Sequence, residues 1–284
     1  MRRAALAAWT LCACGHAAPA PPAHATLVTP PRAAPVNASA KAGAGAPVAP
    51  VFLGEVALES PLGAALPARL ADQRPLALTL HASQAMSSWG EIGKRTKPKT
   101  STSDAFAFVY DGYPVAHDPA TAAERKATFV IDYDEPSVKT LHDRIAQKDK
   151  SPSIDAITAF VAQFIDKKDL DRGFDVASVV ATRHEGDCTE HAVLLAALAR
   201  SFGYPARVVL GFALVDFEGH AFAMGHAWVE TFRDGAWRLA DAALPAEVHA
   251  RYLPLTLLQD ESAAFERAWM STLDLLTLKN VVVE

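Results

Sequence analysis

The sequence predicts an α+β fold in which a helix packs on an antiparallel sheet, preceded by a β-rich region. Three observations carry this. Residues 51–135 hold short apolar runs separated by polar and Pro/Gly breaks, the pattern of strands. The next stretch, from Pro136, places apolar residues at helical spacing. Further on, Thr231-Phe232-Arg233-Asp234-Gly235-Ala236-Trp237 reads as a hairpin turning on Asp-Gly.

The chain opens with a basic Met1-Arg2-Arg3 and a short, mostly apolar core to Cys14, the layout of a secretory signal. Two cleavage readings compete. Ala23-His24-Ala25 fits the A-x-A rule, which would remove residues 1–25 and free a soluble protein starting at Thr26. Leu11-Cys12-Ala13-Cys14 looks like a bacterial lipobox, which would remove residues 1–13 and leave Cys14 as a lipid anchor. The Pro/Ala-rich stretch that follows favours the lipoprotein. Residues 26–50 lack any apolar period and read as a disordered tether.

With 284 residues, 50% hydrophobic and 21% charged, the chain suits one or two globular domains. A formal charge of −5 argues against nucleic acid or an anionic membrane surface as partner. No stretch is apolar for long enough to predict a transmembrane helix. Of the three cysteines, two lie in the signal region, so neither cleavage leaves an intramolecular disulfide. An unpaired Cys188 in an exported protein calls for a reason, and a reactive thiol is one.

Residues 51–135 form the expected accessory β-rich region. Its strands are Val51–Val56, Leu76–Leu80, Ala105–Tyr110 and Thr128–Tyr133, and the basic run Lys94–Lys99 reads as a solvated loop. Residues 136–284 form the expected catalytic domain. Helices are expected over Pro136–Asp149 and from Ser151-Pro152, each with Pro at its first position. Ile154, Ile157, Phe160, Val161, Phe164 and Ile165 mark a core-facing stripe. Asp175 is the expected cap of a short helix over Val176–Thr182. Beyond the central helix come a strand over Ala206–Val215, a loop over Asp216–Gly225 and the hairpin. A strand near Tyr252–Leu258, a helix near Ser262–Leu276 and a strand over Asn280–Val283 complete the pattern.

The chain centres on Gly186-Asp187-Cys188-Thr189-Glu190-His191. Asp187 and Glu190 have capping-box spacing, which makes Asp187 the N-cap and Cys188 the first helical residue. Ala192–Ala199 is apolar all round, as in a buried helix, and Gly203 supplies its left-handed stop. Unpaired N–H groups at the helix start favour a thiolate, which suits a nucleophile.

Downstream lie Gly225-His226-Ala227-Trp228-Val229-Glu230 and Trp237-Arg238-Leu239-Ala240-Asp241. Cys, then a His opening a strand, then an Asp closing the next, resembles the transglutaminase-like superfamily of papain-fold cysteine enzymes, specifically the bacterial transglutaminase-like domain proteins. Three blocks carry the resemblance: residues 186–214, 225–230 and 237–241. Ala242 departs from the Pro that often follows the acid. The resemblance implies a papain-like core, with the Cys helix packed on a sheet bearing His and Asp. It also implies a catalytic set of Cys188, His226 and Asp241.

The Asp234-Gly235 turn pairs Arg233 with Ala236, and that register puts His226 and Asp241 on one face as diagonal neighbours. A one-residue slip would separate them. In these roles His226 takes the Cys188 proton, Asp241 orients the imidazole, and the Cys188 N–H is one oxyanion donor. The second donor is not legible. Asp241 has a plainer reading as a strand-end turn residue. His184, Cys188, Glu190 and His191 lack the paired spacing of common zinc sites, so no metal or cofactor is expected. Glu190 and His191 read as helix-start residues, Arg207 and Trp228 as packing or supporting groups, and His220 as a surface residue.

The expected function is that of an exported cysteine acyl-transfer enzyme, periplasmic or envelope-bound. Its partner is a protein or peptide substrate, with the acyl-enzyme resolved by water or an amine. The alternative is a non-catalytic binding module that keeps the fold.

Overall fold

The computed structural model describes residues 55–72, 74–85, 88–167, 175–217, 219–245, 248–258 and 277–284. Within them lie the strands β1 (Glu55–Glu59), β2 (Leu76–Ala82), β3 (Thr100–Ser101), β4 (Ala105–Tyr110), β5 (Ala206–Phe217), β6 (His220–Arg233), β7 (Ala236–Ala240), β8 (Ala250–Leu257) and β9 (Leu278–Val283). The α-helices are α1 (Leu66–Ala71), α2 (Gly90–Arg95), α3 (Pro136–Ala146), α4 (Ile154–Phe164), α5 (Ala177–Arg183) and α6 (Cys188–Ser201). The leader, the tether, Val51–Gly54 and the expected helix near Ser262–Leu276 lie outside the described residues.

The fold is α+β with a papain-like core, a Cys-bearing helix on a largely antiparallel sheet. The strands join in the order β3-β4-β2-β9-β1-β6-β5-β8, with β7 pairing β6. Only β1 and β9 run parallel among these pairs. Ala49–Glu284 makes one compact unit, so strands from both halves of the sequence share this sheet. Helix α6 packs against β5 and β6 and against α3, α4 and α5. That accounts for its composition, since Ala192–Ala199 is buried along its whole length.

Several expected elements shift for local reasons. Thr128–Tyr133 is not a strand but a turn. The Thr128 hydroxyl receives the Ile131 N–H at 3.2 Å, and the Asp132 carboxylate takes the Ser178 N–H at 2.8 Å. Asp132 thus serves the N-terminus of α5 from outside. Val176, not Asp175, sits at the N-cap position. Helix α3 starts on Pro136 as expected but ends at Ala146. Pro152 is not the first residue of α4. Ser153 caps that helix, its hydroxyl accepting the Ala156 N–H at 3.2 Å. The apolar stripe of α4 faces the core as read.

Asp216–Gly225 is not a loop. Strand β5 runs to Phe217 and β6 starts at His220, and the pairing from Ala206↔Thr231 to Phe217↔His220 is unbroken. The chain reverses at Gly219, whose φ of +81° suits a residue without a Cβ. At the other end of β6, the register predicted from Asp234-Gly235 holds from Arg233↔Ala236 to Val229↔Ala240. Asp234 and Gly235 both have positive φ, as a type I′ turn requires.

Candidate active site

Asp187 and Glu190 form the capping box that starts α6. Asp187 Oδ1 accepts the Thr189 N–H at 2.7 Å, and Glu190 Oε2 accepts the Asp187 N–H at 2.9 Å. Glu190 also takes the Asp175 N–H on Oε1 at 3.0 Å, tying the chain before α5 to the Cys turn. Gly186 makes this possible. A Cβ there would lie 2.3 Å from Glu190 Cβ, and φ is +155°.

Cys188 therefore stands at the first helical position, but it is buried, 5% exposed. Burial pushes its thiol well above the ordinary range. The Asp187 carboxylate raises it further, the Ala227 N–H donating to sulfur opposes this, and Asp241 and Glu190 add to the rise. Burial first, and then the neighbouring carboxylates, oppose the expected thiolate in this geometry. The Ala227 contact puts the sulfur beside β6, next to His226 in sequence.

His226, 1% exposed, lies in β6 opposite Gly211 of β5. Its Nε2 donates to Asp241 Oδ2 at 2.8 Å. Its Nδ1 is buried without a hydrogen-bond partner among the described residues, Cys188 included. Strand β7 ends at Ala240, so Asp241 lies just beyond the strand it was expected to close. Its Oδ1 accepts the N–H groups of Ala243 at 2.8 Å and Leu244 at 3.4 Å. Both readings of this residue hold at once: Asp241 is a turn residue and the partner of His226. Burial acts to raise its pKa, but the imidazole and the donors around it hold the carboxyl below the usual range.

Three features escaped the sequence reading. Tyr252 of β8 donates its hydroxyl to Asp241 Oδ2 at 2.7 Å, and nothing local to Tyr252 signals this. Tyr113 accepts the Trp228 indole N–H at 2.9 Å and donates to Glu230 Oε1 at 2.5 Å. Its ring and those of Trp228 and Tyr252 meet edge-on, and Trp228 and Tyr252 lie 6.1 and 5.9 Å from the imidazole. Glu230, fully buried, receives Arg207 Nε at 2.8 Å and Arg95 Nη1 at 2.5 Å. A charged residue inside the apolar run of β6 was the available signal for that network. Arg207 does more than pack. It also pairs with Asp118 at 2.8 Å and lies 3.8 Å over the Trp237 ring.

A sequence profile described as the transglutaminase-like superfamily matches residues 139–242. No curated protein matches the chain. Among solved structures, a candidate cysteine protease from Cytophaga hutchinsonii is similar at 15% identity and a TM-score of 0.40, over 74% of this chain and 84% of that one. The periplasmic domain of TgpA from Pseudomonas aeruginosa, bound to ethylmercury, is similar at 14% identity and a TM-score of 0.38, over 68% and 96%. At these scores the likeness assigns no residue.

Proposed function

Because residues 139–242 match the transglutaminase-like superfamily profile, we propose that the chain is a cysteine acyl-transfer enzyme using Cys188, His226 and Asp241. The observation that carries this is the His226–Asp241 hydrogen bond at 2.8 Å, with the opposite ring nitrogen unpartnered among the described residues. In the reaction, His226 Nδ1 accepts the Cys188 proton as sulfur bonds to the carbonyl carbon of an amide or ester. The imidazolium then protonates the departing amine or alcohol. Water or an amine attacks the thioester, returns its proton through His226 and frees the thiol. Asp241 holds the imidazole's tautomer throughout. The Cys188 N–H, at the start of α6, is placed to donate to the oxyanion.

The leader, its two cleavage readings and the tether extend the proposal to an exported protein, periplasmic or anchored to the envelope through Cys14. A protein or peptide is the proposed substrate. The boundary near residue 135 between an accessory region and the catalytic domain belongs to the same proposal.

One observation favours the binding-module reading: the thiol is buried and pushed toward its neutral form. Alkylation by iodoacetamide and turnover of p-nitrophenyl acetate separate the two. Cys188→Ala should abolish turnover and acyl-enzyme formation, and His226→Ala should nearly do so. Asp241→Asn should keep the fold and cut turnover by roughly 10²–10⁴. Turnover at the wild-type rate in Cys188→Ala would sink the acyl-transfer reading. A thiol alkylated no faster than a free cysteine, with no turnover, would establish the binding module.

A further inference from the structure

Among the described residues, Asp241 accepts four hydrogen bonds. Ala243 and Leu244 N–H groups hold Oδ1, while Oδ2 is shared by His226 Nε2 at 2.8 Å and the Tyr252 hydroxyl at 2.7 Å. Tyr252 comes from β8, beyond residues 139–242 that match the family. It is itself fixed: its backbone N–H donates to the Tyr110 hydroxyl at 3.2 Å, and its ring meets Trp228 at 5.2 Å and Tyr113 at 6.4 Å. Tyr110 and Tyr113 belong to the chain before residue 135, so the support for Asp241 runs from both halves of the sequence.

We infer that Tyr252 is a positioning residue of the active site, acting on His226 through Asp241. The backbone donors alone fix one carboxylate oxygen and leave the group free to pivot about it. The Tyr252 hydroxyl fixes the second oxygen, and with it the direction in which the imidazole presents Nδ1. Because one oxygen serves two donors, Tyr252 also moderates the His226 hydrogen bond. The inference rests on the acyl-transfer reading for its kinetic consequence but not for its spectroscopic one.

The test replaces Tyr252 in the full chain and reads two signals. In Tyr252→Phe, the Nε2 proton of ¹⁵N-labelled His226 should move downfield, since Oδ2 then serves His226 alone. The kcat for p-nitrophenyl acetate should fall about tenfold with KM unchanged, the size expected for one lost hydrogen bond to a charged group. If the Phe variant does not fold, 3-fluorotyrosine at position 252 keeps the ring and strengthens the donor, and the Nε2 proton should then move upfield. A His226 resonance that stays put in the folded variant, with kcat unchanged, overturns the inference. Absence of Cys188-dependent turnover in the unsubstituted chain would instead sink the acyl-transfer reading, and the resonance would still judge Tyr252.

Discussion

Glu190 shows how one buried side chain can couple the fold to pH. Burial pushes it up to about 8, with the hydrogen bond and charge of Asp187 next in weight. An unfolded glutamate loses its proton near pH 4.3. Between about 4.3 and 8 the folded state therefore holds a proton that the unfolded state has released, so stability falls as pH rises through that window. Glu190→Gln keeps an acceptor for one of the two N–H groups, Asp187 or Asp175, which bond different oxygens, and removes the titration. Urea unfolding of the unsubstituted chain should lose roughly 2–4 kcal/mol more between pH 5 and pH 8 than Glu190→Gln does. Equal slopes would show that Glu190 ionises normally. The residue's place at the helix start was legible from D-x-x-E spacing. Its shift was not, because burial and the approach of Asp175 are tertiary.

At the scale of elements, the Cys turn depends on Gly186. A methyl group there would overlap Glu190 Cβ, and its φ of +155° disfavours any L side chain. Gly186→Ala should therefore push Glu190 out of the capping box. The expected cost is about 2–4 kcal/mol by chemical denaturation, with a matching loss of Cys188 alkylation selectivity. An alanine variant as stable as the parent would mean that the turn relaxes freely. The β6–β7 hairpin was readable because Asp-Gly imposes a two-residue turn, and the turn sets every pair up to Val229↔Ala240. The β5–β6 hairpin was misread because His220 and the polar residues around it break the apolar pattern. Its pairing is decided by the neighbouring strands, β8 on one side and β1 on the other.

Across the whole molecule, Glu230 ties side chains from both halves of the sequence to β6. Arg95 reaches it from α2, Tyr113 from the segment after β4, and Arg207 from β5. Glu91 in turn receives Arg95 Nη2 at 2.7 Å. Removing Arg95 leaves the fully buried Glu230 with one cation, Arg207, in place of two. Arg95→Ala should cost about 3–5 kcal/mol, whereas Arg95→Met with Glu230→Gln should cost clearly less than the sum of the single changes. Additive costs in that double-mutant cycle would mean that the two residues do not interact in solution.

The sequence by itself determined the fold class, the Cys-bearing helix with its cap and the hairpin register, and it put forward Cys188, His226 and Asp241 as candidates. Each depends on residues near in sequence, through helical period, cap spacing or turn geometry, together with a motif resemblance. The tertiary structure alone decided which ring nitrogen of His226 meets Asp241 and that the Cys188 thiol is buried. It also decided that Tyr252 and Tyr113 stand around the site and that Glu230 is held by three side chains. These depend on burial and on groups brought together across the sheet from as far apart as Arg95 and Glu230. No local pattern encodes a distance of that kind, because the strand order β9-β1-β6-β5-β8 that creates it follows from packing of the whole chain.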